Sequence, residues 1–155
     1  MKIILVLFAA LFMGVLNQCS GSLLELAESL AASTAPAEPQ VIEVDTALVA
    51  RGVEVYLAAY CGVCHTLSAA QTRGTFGPNH DDAGRAAKQT ILLDSYNGSA
   101  TTPEDYLRES LLDPRAYYTA GFEATQHHMP AFTHLPAEDI DALVYMLMQQ
   151  RGEQP

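Results

Sequence analysis

The segment Cys61-Gly62-Val63-Cys64-His65 constrains this 155-residue chain more than any other. Its two cysteines stand three positions apart, and an imidazole follows directly. Two thiols at this spacing can reach the two vinyl groups on adjacent edges of one porphyrin, and the next residue then brings its imidazole under the iron. The segment therefore predicts covalent attachment of one haem c through Cys61 and Cys64, with His65 as an iron ligand.

Structural zinc sites and thioredoxin-like dithiols also use a C-x-x-C pair. Structural zinc usually takes four ligands, commonly from a second cysteine or histidine pair. The chain has only three cysteines, and His127 and His128 are adjacent, which is a poor spacing for a second pair of ligands. A thioredoxin-like site belongs in a βαβ context, which the sequence pattern does not indicate. Haem attachment is therefore the favoured interpretation.

A sixth iron ligand is expected downstream of His65, and Met129 is the best candidate. It lies in His127-His128-Met129-Pro130, where the proline fixes the local backbone and helps a loop to present its methionine. The remaining methionines lie in the N-terminal segment or in the last predicted helix, where packing is their usual role: Met1, Met13, Met146 and Met148. The rival ligand is His127 or His128, which would give a bis-histidine haem of lower potential.

Apolar periodicity predicts an all-α domain, with three to five helices and no alternating strand pattern. Helices are expected at four places: after Asp45 as an N-cap, over 89–96, after Thr102 with Pro103 in its first turn, and after Pro136. Asp113-Pro114 is expected to end the third helix. The predicted buried residues are Leu48, Val49, Val53, Tyr56, Leu57 and Tyr60, then Tyr106, Leu107, Ser110, Leu111 and Leu112, then Ile140, Leu143, Val144, Leu147 and Met148. Segments 73–85 and 115–131 are predicted loops.

The N-terminal part of the chain predicts export and a membrane anchor. Lys2 is followed by an apolar run, 3–16, which is too short to span a bilayer but is typical of a signal peptide. The end of residues 1–19 resembles a bacterial lipoprotein signal, which implies lipidation at Cys19, although Gln18 replaces the usual Gly or Ala. Residues 20–42 are rich in Ala, Pro and Ser and predict a flexible linker. The expected location is the periplasmic or other extracytoplasmic face of a membrane.

The net charge of −10, from 18 acidic against 8 basic residues, limits the classes of partner. Nucleic acids and anionic lipid surfaces are bound through clustered lysine and arginine, so we expect neither to be bound through a basic face. Redox proteins with a basic or apolar docking patch fit the charge instead. No small-molecule substrate is expected.

Residues 43–152 resemble a class I cytochrome c domain, a small all-α fold around one covalently bound haem c. The resemblance implies that His65 and Met129 are the axial ligands. It also implies that Gly77-Pro78 supplies a backbone carbonyl, that of Pro78, which orients the axial imidazole and tunes the iron.

Further features of the resemblance concern the helices. The first and last helices of this family cross at a small residue beside an aromatic one, and here Gly52 and Tyr56 with Tyr145 match that pattern. Pro136 departs from the capping Ser or Thr that is usual at the start of the last helix.

The function predicted from these residues is single-electron transfer between respiratory or photosynthetic redox partners, because a Met/His pair fills both axial positions. Two alternatives remain open: a fixed haem subunit of a membrane oxidoreductase complex, and a haem enzyme or gas sensor, which needs a vacant or displaceable sixth ligand position. Residues with secondary predictions are Val63, Ala131 and Phe132 as an apolar docking patch, His80 and His134 as solvated loop residues, and Arg73, Tyr96, Tyr117 and Tyr118 as unselected candidates for the haem propionates.

Overall fold

The computed structural model describes residues 43–152, and this range is mainly helical. The elements are α1 Thr46–Ala58, a 3-10 helix Cys61–Val63, β1 Thr66–Leu67, a 3-10 helix Ser68–Ala70, β2 Thr72–Arg73, α2 Ala83–Thr90, α3 Pro103–Leu112 and α4 Ala137–Met148. The all-α prediction is confirmed, and the antiparallel pair β1–β2 is a small addition that it did not include. The predicted signal 1–19, with Cys19, and the predicted linker 20–42 lie outside the described residues. No helix within 43–152 is long and apolar enough to cross a membrane.

Helix α1 begins where the sequence predicts. The Asp45 carboxylate accepts hydrogen bonds from the backbone N–H groups of Ala47 and Leu48, both at 3.0 Å, so the predicted N-cap is confirmed. The predicted buried stripe is wrong at its end. Leu57 is half exposed, and Tyr60, which is 77% exposed, lies beyond the helix. The helix ends early because Tyr60 takes a left-handed backbone conformation, with φ 59°, and turns the chain into the cysteine motif.

Helices α1 and α4 cross at Gly52. A Cβ atom at this position would lie 2.4 Å from the Met146 Cβ and 2.5 Å from the Ala142 carbonyl oxygen, so only glycine allows this approach. The small residue thus meets Ala142 and Met146. Tyr145, the aromatic residue expected beside this crossing, links α4 to the start of α1, because its hydroxyl accepts a hydrogen bond from the Asp45 N–H at 2.8 Å.

Gly52→Ala is expected to destabilise the haem-loaded protein by about 1–3 kcal/mol, the usual cost of overpacking a close contact. Both atoms that the new methyl group would meet belong to backbone or to a Cβ, which cannot swing aside. Urea unfolding followed by circular dichroism measures this free energy. Ala50→Leu is the control, because it enlarges an exposed residue on the same helix and should change stability by no more than about 0.5 kcal/mol. Equal stabilities for the two variants would contradict the tight crossing.

Helix α2 is the main correction to the predicted elements. The sequence predicts a loop over 73–85 and a helix over 89–96, whereas the helix spans Ala83–Thr90 and turns follow it. Its buried side consists of small residues, Ala83, Gly84, Ala87 and Thr90. A Cβ atom at Gly84 would lie 2.3 Å from the Met148 carbonyl oxygen. The helix therefore packs by close backbone approach, and its sequence lacks the stripe of large apolar residues on which the prediction relied.

Helix α3 begins and ends as predicted. The Thr102 hydroxyl accepts a hydrogen bond from the Asp105 N–H at 3.1 Å, and Pro103 is the first helical residue. The helix stops at Leu112, before Asp113-Pro114. Leu112 itself is exposed rather than buried, because it lies on the solvent side of the last turn.

Helix α4 begins at Ala137, and Pro136 offers no side-chain cap. The Pro136 carbonyl accepts hydrogen bonds from the N–H groups of Asp139 and Ile140, both at 3.1 Å. The unusual proline therefore leaves the start of the helix in place. Asp139 also pairs with Arg51 of α1 at 2.6 Å, which joins the two crossing helices.

Candidate haem site

The cysteine motif forms a tight helical turn directly after Tyr60. The carbonyl of Cys61 accepts hydrogen bonds from the N–H groups of Cys64 and His65, at 3.1 and 3.0 Å. In a 3-10 turn, side chains three positions apart eclipse one another, so Cys61 and Cys64 line the same cavity. No disulfide joins the two residues, and burial raises the pKa of the Cys61 thiol to about 11.

The loop after β2 is tied back over the motif by backbone hydrogen bonds. The Gly77 N–H donates to the Cys64 carbonyl at 2.9 Å, and the His80 N–H donates to the Thr66 carbonyl at 2.8 Å. A Cβ atom at Gly74 would lie 2.5 Å from the backbone nitrogen of His65, so this close approach of two backbone segments also requires glycine. These contacts place residues 77–80 against the His65 side chain.

The His65 imidazole is buried and oriented by the loop. Its Nδ1 atom lies 2.7 Å from the Pro78 carbonyl oxygen, the contact that the resemblance implies. Because Nδ1 is engaged, Nε2 is the nitrogen left for a metal. Burial lowers the pKa of His65, against the opposing effect of the Pro78 carbonyl, which favours the neutral ring that ligates a metal.

His80 is not the solvated loop residue that the sequence predicts. Its ring stacks on that of His65, with centroids 3.9 Å apart and planes inclined by 15°. It also meets Tyr56 of α1 edge-on, and His80 Nδ1 lies 3.3 Å from the Tyr56 hydroxyl. Burial, with a further contribution from His65, lowers the pKa of His80 well below its usual value. His134, the other histidine in this prediction, is exposed.

One cavity of about 400 Å³ brings the predicted haem residues together: Cys61, Cys64, His65, Pro78 and Met129 all line it. Much of the remaining lining is apolar or aromatic, including Tyr106, Leu107, Leu111, Phe132, Leu143 and Leu147. An apolar cavity with two thiols and an imidazole at one wall suits a flat, largely apolar ring with reactive vinyl groups and a central metal. The residues present therefore fit haem c.

The three consecutive residues that compete for the sixth position differ in burial. Met129 is partly buried and packs against the core. His127 and His128 also line the cavity but are exposed. The His127 ring lies against Phe76, with centroids 4.2 Å apart.

The apolar residues at the cavity rim differ from those predicted. Val63 is 62% exposed and Ala131 is exposed, but Phe132 is only 6% exposed and belongs to the core. The backbone N–H of Phe132 donates a hydrogen bond to the Leu111 carbonyl of α3 at 2.8 Å, and this contact holds Phe132 against the core and away from the rim. Phe76 is 48% exposed and also lines the cavity, a place that its sequence does not predict because nothing in the local pattern distinguishes it.

Only two of the four candidates for contact with the haem propionates lie at the cavity. Tyr117 and Tyr118 line the cavity, whereas Arg73 and Tyr96 do not. The Tyr96 hydroxyl instead donates a hydrogen bond to the Glu109 carboxylate.

Residues 49–151 match the family described as Cytochrome c. The chain belongs to the cytochrome c family. It is therefore a haem-binding electron-transfer protein with covalently attached haem c. No curated protein and no solved structure matches the chain significantly. Among residues 43–152, no group of three or more His, Cys, Asp or Glu side chains is placed to hold a metal ion.

Proposed function

We propose that this cytochrome c carries one haem, whose iron is held by His65 and Met129, and transfers single electrons between redox proteins at a membrane surface. The observation that carries the proposal is that Cys61, Cys64, His65 and Met129 line one apolar cavity. Haem bound there supplies an iron atom that changes oxidation state by one electron. Cys61 and Cys64 would attach the haem, and the Pro78 carbonyl would orient the His65 imidazole that holds the iron.

The choice of Met129 rests on burial. A ligand to a haem enclosed by the protein has to lie inside, and Met129 packs against the core while its two neighbours are exposed. If Met129 and His65 both held the iron, the thioether would raise the reduction potential, and neither ligand position would be left for a substrate. That ligand pair would favour electron transfer over substrate chemistry.

The rim of the cavity suits brief contacts with partner proteins. Tyr60, Val63 and Phe76 are exposed apolar side chains that line it. Redox partners usually meet through small, transient interfaces, and the protein's net charge of −10 favours partners with a basic docking face.

Purification from native membranes tests the proposal. The reduced protein should show a sharp α-band, and the oxidised protein should show the weak near-infrared band of a methionine–iron bond. Ready binding of carbon monoxide by the reduced protein at neutral pH would instead favour a haem enzyme or gas sensor. Stoichiometric co-purification with a detergent-solubilised complex would make the protein a fixed subunit instead of a mobile carrier.

A lipid on Cys19 is the proposed tether, with 20–42 as the linker that lets the domain move between partners. Stable anchoring needs more than one acyl chain, which lipoprotein processing supplies. Globomycin, which blocks that processing, should make the precursor accumulate in the native host. Cys19→Ser should move the haem protein from the membrane fraction to the soluble fraction after export. Unchanged processing and unchanged membrane association would contradict the tether.

A further inference from the structure

The His65 imidazole is constrained on more than one side. The Pro78 carbonyl holds its Nδ1 atom at 2.7 Å. At its edge, a Cβ atom on Gly77 would lie 2.4 Å from Cε1, so the backbone itself lies close. Its face carries the His80 ring, 3.9 Å away and nearly parallel.

The His80 ring is itself held from two directions. Its backbone N–H donates to the Thr66 carbonyl at 2.8 Å. Its Nδ1 atom lies 3.3 Å from the hydroxyl of Tyr56, and Tyr56 is among the most deeply buried side chains of the core. The stacked ring is therefore linked to helix α1 as well as to the loop.

The hydrogen bond at Nδ1 and the stacked face restrict different motions. A single hydrogen bond fixes where Nδ1 points but lets the ring rock about that direction. A flat group against the ring face restricts this rocking, because offset stacking favours parallel planes. A buried polar ring costs free energy unless it is hydrogen-bonded, so an imidazole here needs its Tyr56 partner, whereas an aliphatic side chain would fill the space without one.

We propose that His80 is a positioning residue that fixes the plane of the His65 imidazole, with Tyr56 as its anchor. The inference rests on the proposed role of His65 as the iron ligand. The plane of an axial imidazole determines how the iron d orbitals split and how unpaired spin spreads over the four haem methyl groups. His80 thereby acts on the electronic structure of the site through His65 without touching the metal.

Two substitutions of His80 distinguish the effect of a planar ring from the effect of side-chain volume. His80→Leu fills the space with a side chain that has no plane, and His80→Phe keeps a planar ring. Purified haem-loaded proteins are compared by electron paramagnetic resonance and by the proton shifts of the haem methyl groups in the oxidised state. His80→Leu should shift the largest g value and change the spread of the methyl resonances, while His80→Phe stays near the wild type. His134→Ala, which removes an exposed histidine, is the control and should leave both spectra unchanged.

Spectra of His80→Leu that equal those of the wild type would overturn the inference, and so would a His80→Phe shift as large as that of His80→Leu. If His80→Leu does not load haem, Tyr56→Phe provides the test, because it keeps the stacked ring and removes its anchor. That variant should broaden the largest-g signal, and an unchanged signal would overturn the inference. Failure of the proposed function looks different, since the wild type would then lack the spectrum of a histidine-ligated, low-spin haem.

Discussion

Met129→Ala is expected to abolish the near-infrared methionine–iron band of the oxidised protein and to open the sixth coordination position. The reduced variant should then bind carbon monoxide readily, which the wild type should not. Its reduction potential should fall, because axial-ligand identity sets potentials over a range of roughly 0.8 V. Optical spectra with and without carbon monoxide, together with a redox titration, measure these changes.

Matched variants distinguish Met129 from its neighbours. Met148→Leu changes a partly buried methionine of α4 that does not line the cavity, and it should leave the band intact. His127→Ala and His128→Ala should also leave it intact, because both imidazoles are exposed. A bis-histidine haem would be established by a different set of results. The wild type would lack the band, and its spectrum would change with His127→Ala or His128→Ala but not with Met129→Ala.

The features that the sequence predicts correctly are those whose chemistry is local. Asp45 and Thr102 cap their helices through hydrogen bonds to N–H groups two or three residues away, which a short sequence pattern specifies completely. The spacing of Cys61 and Cys64 is equally local, since one turn of helix brings them to the same side. Such patterns do not depend on the rest of the fold.

The features that the sequence does not predict depend on contacts between distant segments. Helix α2 is stabilised by backbone approach to the end of α4, for which Gly84 is required, and small residues carry no periodic signal. His80 owes its place to Tyr56 in α1 and to the Thr66 carbonyl. A histidine after Gly-Pro-Asn looks like a surface residue until the loop is folded onto the motif.

The candidate site is partly predictable from local sequence and partly dependent on contacts between distant segments. The sequence selects Met129 because a proline follows it, but it leaves His127 and His128 as rivals. Burial favours one of the three, and burial depends on the surrounding helices. For the same reason Phe132, three residues later, was expected at the rim and lies in the core.

Replacing both motif cysteines, as Cys61→Ala with Cys64→Ala, is expected to eliminate covalent haem and with it the folded state. Haem stabilises the folded state only, because the cavity that holds it does not exist in the unfolded chain. A domain of this size is stable by only about 5–15 kcal/mol in total, so removal of the group that fills its apolar cavity is a large loss. The doubly substituted protein should therefore lose both haem staining on a denaturing gel and its cooperative unfolding transition.

The single variants show which attachment matters, because each keeps one thiol. Cys61→Ala and Cys64→Ala alone should each retain haem that survives denaturation, through the remaining thioether bond. Cys19→Ser is the control, since it removes the cysteine outside the motif and should stain as strongly as the wild type. Haem that stays bound to the doubly substituted protein on the gel would contradict attachment through these two residues. A doubly substituted protein that lost its haem but still unfolded cooperatively would show that the apolar lining of the cavity packs without haem.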